Sequence, residues 1–385
     1  MQTSDRRPRV CVVGPSWLFT GGLSQYTCRL ARALAEETEV SALLMRRLLP
    51  KRLYPGRARV GAKVASSAYD PRVEVYDGVD WYWIPSLLGG LRWLRRRHPD
   101  LVVFQWWTGT VAHSYLVLAA AARSFGAKVV IEFHELQDTG EAKVPATQAY
   151  TGWILSRLVR RADSFIVHSA YDRSRLSKLL DLTGQPVAVV PHGPFDQYAV
   201  QHAPSRDGTV RLLFFGLIRP YKGLEYLLSA FDRLSAQEVA GFHLTVVGET
   251  WEGCTAPIRM IERAEHRDRI TLVNRYVTDD EAKHYFAHAD VLVLPYLRCS
   301  ASGPLHIAMS NGLPVLMSRV GGLAEAARDY PGAVMVEPAD VDALVAGLRT
   351  VRGRVGGHYR DPHSWRRNVD ALLACSGQDV PEAAP

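Results

Sequence analysis

The residues able to do chemistry gather at the ends of short apolar runs. Residues 212–215 form one such run, closed by Gly216, and from Leu224 onward Leu224, Leu227, Leu228 and Phe231 recur at helical spacing. Between strand and helix stand Arg219 and Lys222. Two cations at the carboxyl end of a parallel strand, beside the unpaired amides of the next helix, suit a diphosphate. A solvated basic loop fits the same motif. Three further runs end in histidine: residues 128–133 lead into His134 and Glu135, 166–167 into His168 and Ser169, and 187–190 into Pro191, His192 and Gly193. Strand-end side chains of a parallel sheet converge on one rim, so these imidazoles are candidates for one crevice. A lone strand-end histidine is more often a capping or packing residue.

A second phosphate seat follows residues 291–294. Ser302 precedes Gly303, Pro304 and a helical stretch over 305–309. A serine N-cap with proline inside the first turn leaves amides and the positive end of the helix dipole for a phosphate or a sugar hydroxyl. Near the start, Gly21 and Gly22 separate a strand at 10–13 from a helix at 26–34. Adjacent glycines allow a ligand close to the backbone, although their spacing is not that of a dinucleotide fingerprint. Residues 242–247 end in Gly248 and Glu249, and 270–273 lead into Arg275, Tyr276 and Val277. Trp106 and Trp107, after a strand at 101–104, offer either a stacking wall for a sugar or cyclitol or plain core packing. Asp340-Val341-Asp342 is spelled like a metal-binding DxD, but it opens the apolar series Val341, Leu344, Val345, Leu348 and reads as a helix start.

The elements that position these residues fall into two runs of alternating strand and helix, joined by a polar, aperiodic stretch at 196–209. That pattern predicts an α/β protein with two parallel-sheet domains facing each other across a cleft: 1–200, 201–357, and a closing helix with a frayed tail over 358–385. A chain of 385 residues, 47% hydrophobic and 22% charged, is long for one core, which also favours two domains. The five scattered cysteines form no metal-ligand spacing, which suits a reducing cytoplasm with no disulfide frame and no metal site. No apolar run is long enough for a signal segment or membrane span, so a soluble protein is expected. The net charge of +7 is concentrated in the first half, around residues 46–52, 92–97 and 157–161. No nucleic-acid recognition signature accompanies it. Solvated helix faces account for such groups, but Leu87, Leu88, Leu91, Trp93 and Leu94 interleave with the arginines as in a helix lying on anionic lipid, which adds peripheral membrane contact as a further reading.

Taken together, Gly21-Gly22 before the first helix, Gly216 with Lys222-Gly223, the run 308–315 with Gly321-Gly322, and the terminal Ser364-Trp365 helix resemble the retaining, nucleotide-sugar-dependent glycosyltransferases of the GT-B fold, specifically glycosyltransferase family 4. The resemblance covers roughly residues 10–373 and implies two Rossmann-like domains with the last helix crossing back onto the first. It implies a metal-independent glycosyltransferase without cofactor. This enzyme would take a nucleotide-diphosphate sugar as donor and a glycan, a lipid-linked glycan or a natural-product aglycone or cyclitol as hydroxyl acceptor. Lys222, with Arg219, would hold the diphosphate; Gly22 would bring amides to it; His134 would lie beside the transferring sugar. Glu249, Tyr276 and Val277 would face the nucleotide, while Ser302, Gly303, Pro304, Leu305 and His306 would contribute donor contacts. Trp106, Trp107 and Glu135 would meet the acceptor. Two departures stand out. Leu217 occupies the place of the family's arginine, and Cys299 and Ile307 occupy those of its paired glutamates. A catalytically inactive relative that binds a glycan or partner protein is therefore the alternative.

Overall fold

The computed structural model describes residues 6–16, 22–47, 68–80, 83–135, 145–182, 184–203, 205, 208–251 and 253–376. Gly21, residues 48–67, Pro204, Asp207 and the tail beyond 376 lie outside them. The chain divides into two compact units, residues 1–193 with 364–385 and residues 194–363.

The first unit is built on seven parallel strands: β1 (Arg9–Pro15), β2 (Glu39–Arg47), β3 (Glu74–Asp80), β4 (Leu101–Trp106), β5 (Lys128–Phe133), β6 (Ser164–Val167) and β7 (Val187–Val189). Their order is β3-β2-β1-β4-β5-β6-β7, so the winding direction reverses between β1 and β4. β4 and most of β1, β5 and β6 are buried on both faces, which is why they read in sequence as unbroken apolar runs. Helices α1 (Gly22–Leu34), α2 (Ile84–Arg97), α3 (Ala112–Ser124), α4 (Pro145–Val159) and α5 (Ala170–Leu179) connect them. β3 was not legible: Asp77, Gly78 and Asp80 break its apolar pattern, and it stands at the sheet edge, where Ser16 donates to Asp77 and Arg46 to Asp80.

The second unit repeats the plan with β8 (Val210–Phe215), β9 (Phe242–Val247), β10 (Ile270–Val273), β11 (Val291–Leu294), β12 (Val315–Ser318) and β13 (Ala333–Val336), ordered β10-β9-β8-β11-β12-β13 and all parallel. Its helices are α6 (Leu224–Asp232), α7 (Ala236–Val239), α8 (Ala256–Arg263), α9 (Asp279–Ala287), α10 (Gly303–Ser310), α11 (Gly321–Ala326) and α12 (Val341–Arg352). Asp340 caps α12 through the Ala343 amide at 2.8 Å, so the DxD spelling is a helix start.

The stretch expected to link the domains is largely part of the second unit. The Tyr198 hydroxyl donates to Asp279 at 2.7 Å, and Asn311 holds both the Val200 amide and the Tyr198 carbonyl. Phe195 and Tyr198 are the buried anchors that its polar composition concealed. The final helix, α13 (Trp365–Cys375), lies in the first unit, with Trp365 against Tyr26 at a ring separation of 5.1 Å.

Candidate active site

In the second unit the winding direction reverses between β8 and β11, the place where a doubly wound sheet opens a crevice at its carboxyl ends. The loops after these two strands carry the expected donor residues and are tied together. The Leu297 amide donates to the Tyr221 carbonyl at 2.8 Å, and the Arg298 guanidinium lies 4.6 Å from the Tyr221 ring. Gly223 fixes the junction: its φ is +63°, and a Cβ there would stand 2.0 Å from the Pro295 carbonyl oxygen. Gly216, with φ +110°, leaves room for Lys222, whose Nζ lies 3.0 Å from where a Cβ would be, with Pro304 Cγ 3.8 Å from the same point. Gly216, Lys222 and Pro304 thus meet at one place.

Aromatic rings position the cations. The Arg219 guanidinium sits 4.8 Å from the Trp251 ring centroid and Lys222 Nζ 4.9 Å from that of Tyr296. Trp251 in turn donates its indole N–H to Glu249 at 2.9 Å. Ser302 is the N-cap of α10 and accepts from the Leu305 amide at 3.4 Å. In place of the two absent carboxylates, Cys299 donates its thiol to the Ala301 carbonyl and Ile307 is buried. Tyr276 is half-buried and Val277 buried at the start of the turn that precedes α9. His306, on α10, is 1% exposed, its ring 5.3 Å from His363 and 6.0 Å from Phe195.

The first unit brings its three strand-end histidines together. His134, His168 and His192 are all buried, and one ligand-capable atom from each lies within 4.8 Å of the others. His168 donates its Nδ1 hydrogen to the Val190 carbonyl at 2.9 Å and places Nε2 3.1 Å from His134 Nδ1. His134 Nε2 faces Gln105 Oε1 at 2.5 Å, and the Gln105 amide nitrogen donates to Glu132 Oε2 at 2.6 Å. Glu132 Oε1 accepts from the Tyr26 hydroxyl at 2.5 Å, which itself accepts from Asn368 of α13 at 3.2 Å. Burial pushes the Glu132 carboxyl up to about 7 against the hydrogen bonds from Tyr26 and Gln105. It also pushes His168 down to about 4 and holds His134 well below the ordinary imidazole range.

Sequence reasoning missed Gln105, Glu132, Tyr26 and Asn368. A lone glutamate within VVIEF and a lone glutamine within VVFQW were the available signal, since a buried polar group in a strand requires a partner. Trp106, expected in the acceptor wall, is the last residue of β4 and only 2% exposed, 6.0 Å from the Phe133 ring; it belongs to the core. Trp107 is half-buried and Glu135 exposed. Gly22 opens α1 with nothing within 4 Å of its Cβ position.

Two doubly wound parallel sheets, each with polar side chains at its carboxyl rim, define an α/β protein built of two Rossmann-like units. Residues 21–193 match the model of the glycosyl transferase 4-like domain and residues 209–352 that of the glycosyl transferases group 1. The chain belongs to the glycosyltransferases of the GT-B fold. It is 28% identical over 238 residues to a D-inositol 3-phosphate glycosyltransferase of Segniliparus rotundus, covering 57% of this chain and 53% of that relative. The match therefore spans about half the length of that protein. A glycogen synthase of Mycobacterium tuberculosis is 24% identical over 358 residues, or 86% of this chain and 82% of the relative. Among solved structures, sucrose-phosphate synthase from Thermosynechococcus elongatus superimposes with a TM-score of 0.68 at 17% identity, covering 97% of both chains. Among the described residues, no helix is long and apolar enough to cross a membrane.

Proposed function

We propose that this protein transfers a glycosyl group, with retention of configuration, from a nucleotide-diphosphate sugar to a hydroxyl acceptor. The observation that carries the reading is the convergence of Gly216, Lys222 and Pro304 between the tied loops after β8 and β11, beside the capped start of α10. Cleavage of the anomeric C–O bond leaves its electron pair on the diphosphate. Lys222, Arg219 and the amide of Gly303 at the capped start of α10 supply positive charge where that negative charge develops. The acceptor oxygen bonds to the anomeric carbon, and its proton passes to the leaving phosphate oxygen, so no protein base is needed. Gln105 Oε1 occupies His134 Nε2, and His134 is assigned to the lining of the sugar site, not to the role of base. The two cations carry out the charge neutralisation that a metal performs elsewhere. Gly22 approaches the phosphates, Glu249, Tyr276 and Val277 face the nucleotide, and Trp107 with Glu135 meets the acceptor. The cyclitol phosphate in the name of the Segniliparus relative favours a polyhydroxylated ring as acceptor.

The test is a melting panel of UDP, GDP, dTDP and ADP, followed by release of the stabilising nucleoside diphosphate from its sugar conjugates in the presence of cyclitol and glycan acceptors. One nucleotide should raise the melting point and one donor should turn over. No stabilisation by any of the four, and no release, would overturn the reading.

The acceptor side carries a second proposal, contact with an anionic membrane. Of the apolar residues that interleave with the arginines, Trp93 and Leu94 are buried and Leu87 and Leu91 pack against the core. The apolar surface left exposed is Leu88 with Trp83 and Ile84 at the start of α2, 45%, 58% and 73% exposed, and Arg92, Arg95 and Arg96 further along the helix are exposed too. Reversing charge at Arg95 and Arg96 should cut binding to phosphatidylserine vesicles, each arginine contributing about 1 kcal/mol. Unchanged binding would remove the membrane from the account.

A further inference from the structure

The strand-end histidines of the first unit have more order than crevice-lining requires. Gln105 turns its amide nitrogen to Glu132, which leaves its oxygen for His134 Nε2, so that nitrogen carries a hydrogen. The Val190 carbonyl likewise fixes the hydrogen of His168 on Nδ1. Both imidazoles donate outward, and their remaining nitrogens, His134 Nδ1 and His168 Nε2, turn lone pairs toward each other across 3.1 Å. Outward N–H groups bonded to a carbonyl and an amide oxygen are the arrangement that fixes ligand tautomers around a bound metal. Zinc–nitrogen bonds of about 2.0–2.1 Å in a tetrahedron put neighbouring ligand atoms about 3.3 Å apart, close to the spacing seen. His192 presents the third imidazole within 4.8 Å, and Glu132 Oε1 lies 3.7 Å from His168 Nε2, held by the Tyr26 hydroxyl.

We propose that His134, His168 and His192 bind one divalent transition-metal ion of the zinc type, with Glu132 in reach as fourth ligand. The ion ties together the ends of β5, β6 and β7, three neighbouring strands, on the side where Tyr26 of α1 and Asn368 of α13 close the network. It is a brace for this rim of the first unit. Imidazole ligands select zinc, copper or nickel over magnesium or calcium.

The proposal is tested with the full chain, stripped by chelator and titrated with cobalt(II). One ion per chain, with the intense visible absorption of a tetrahedral site and displacement by zinc, is expected. His168→Asn and His192→Asn should each weaken zinc binding by about 100-fold or more. The exposed His284 and His288, whose rings lie 4.2 Å apart on α9, are the competing surface site, and His284→Ala with His288→Ala should leave the affinity as it was. X-ray absorption on the wild-type zinc complex counts the ligands without any substitution and should show three imidazoles. Absence of stoichiometric binding, fewer than three imidazoles, loss of binding with the α9 pair, or its survival in both His168→Asn and His192→Asn would each overturn the site. These readouts do not involve sugar transfer, so the metal site and the transferase reading can fail separately.

Discussion

At the carboxyl rim of the first sheet, Tyr26, Gln105, Glu132, His134 and His168 are buried in a continuous chain from the Val190 carbonyl to Asn368 of the last helix, hydrogen-bonded at each step except where the His134 and His168 nitrogens face each other. At the rim of the second sheet, Arg219 and Lys222 are half-buried over aromatic rings, on a loop shaped by Gly216 and Gly223. The contrast separates two ways of holding chemistry in place. In the first unit the polar residues are part of the interior, and each is positioned by another buried polar group. In the second, the backbone sets the geometry and the charged side chains rest on it. Substitution at the first rim should therefore cost stability, and substitution at the second should cost function.

The largest effect expected from this contrast concerns Trp365. Its ring fills the space in front of Gly193, where an added Cβ would stand 2.4 Å from Cδ2, and it packs on Tyr26. Trp365→Ala should lower the opening free energy of amides in β4–β7 by about 3–5 kcal/mol, measured by native-state hydrogen exchange. Amides of β8–β13 should be unaffected. Equal loss in both units would break the comparison.

Lys222→Ala addresses the other side. Turnover, followed as nucleoside diphosphate release, should fall by about 10²–10³-fold. Stability should change little, the lost contact with the Tyr296 ring being worth about 0.5–1 kcal/mol. Near-normal turnover would remove Lys222 from the site, and a large loss of stability would place it among the structural residues.

The same contrast explains how much could be read in advance. Strands β5, β9, β10 and β11 were legible to the residue because polar or turn residues mark the ends of each run, and β11 and most of β5 are also covered on both faces. The Ser302 cap and the Asp340 cap were legible because capping is local chemistry. The second-unit cations were found for a similar reason, since they lie within a few residues of the strand they follow. The network of the first unit was not: Tyr26, Gln105, Glu132 and Asn368 are up to 342 positions apart, and only the winding of the sheet brings them together. The choice between stacking wall and core for Trp106 stayed open because residue type says nothing of which face a side chain takes when the strand is buried all round.

The smallest expected effect compares two side chains truncated in place. Tyr26→Phe removes one hydroxyl and no packing. It leaves a buried Glu132 oxygen and the Asn368 amide each short of a partner, and a buried polar group left unsatisfied costs about 1–3 kcal/mol. Arg219→Ala removes far more of its side chain, including its stacking on Trp251, worth about 0.5–1 kcal/mol, but leaves no buried carboxylate short of a donor at a strand end. The smaller deletion should thus be the more destabilising, by a margin that denaturant titration followed separately in the two units can resolve. Arg219→Ala should instead raise the donor concentration needed for half-maximal turnover. If Arg219→Ala proves the more destabilising, the second-unit loop depends on its cations for its shape and the proposed division of labour between the two rims is wrong.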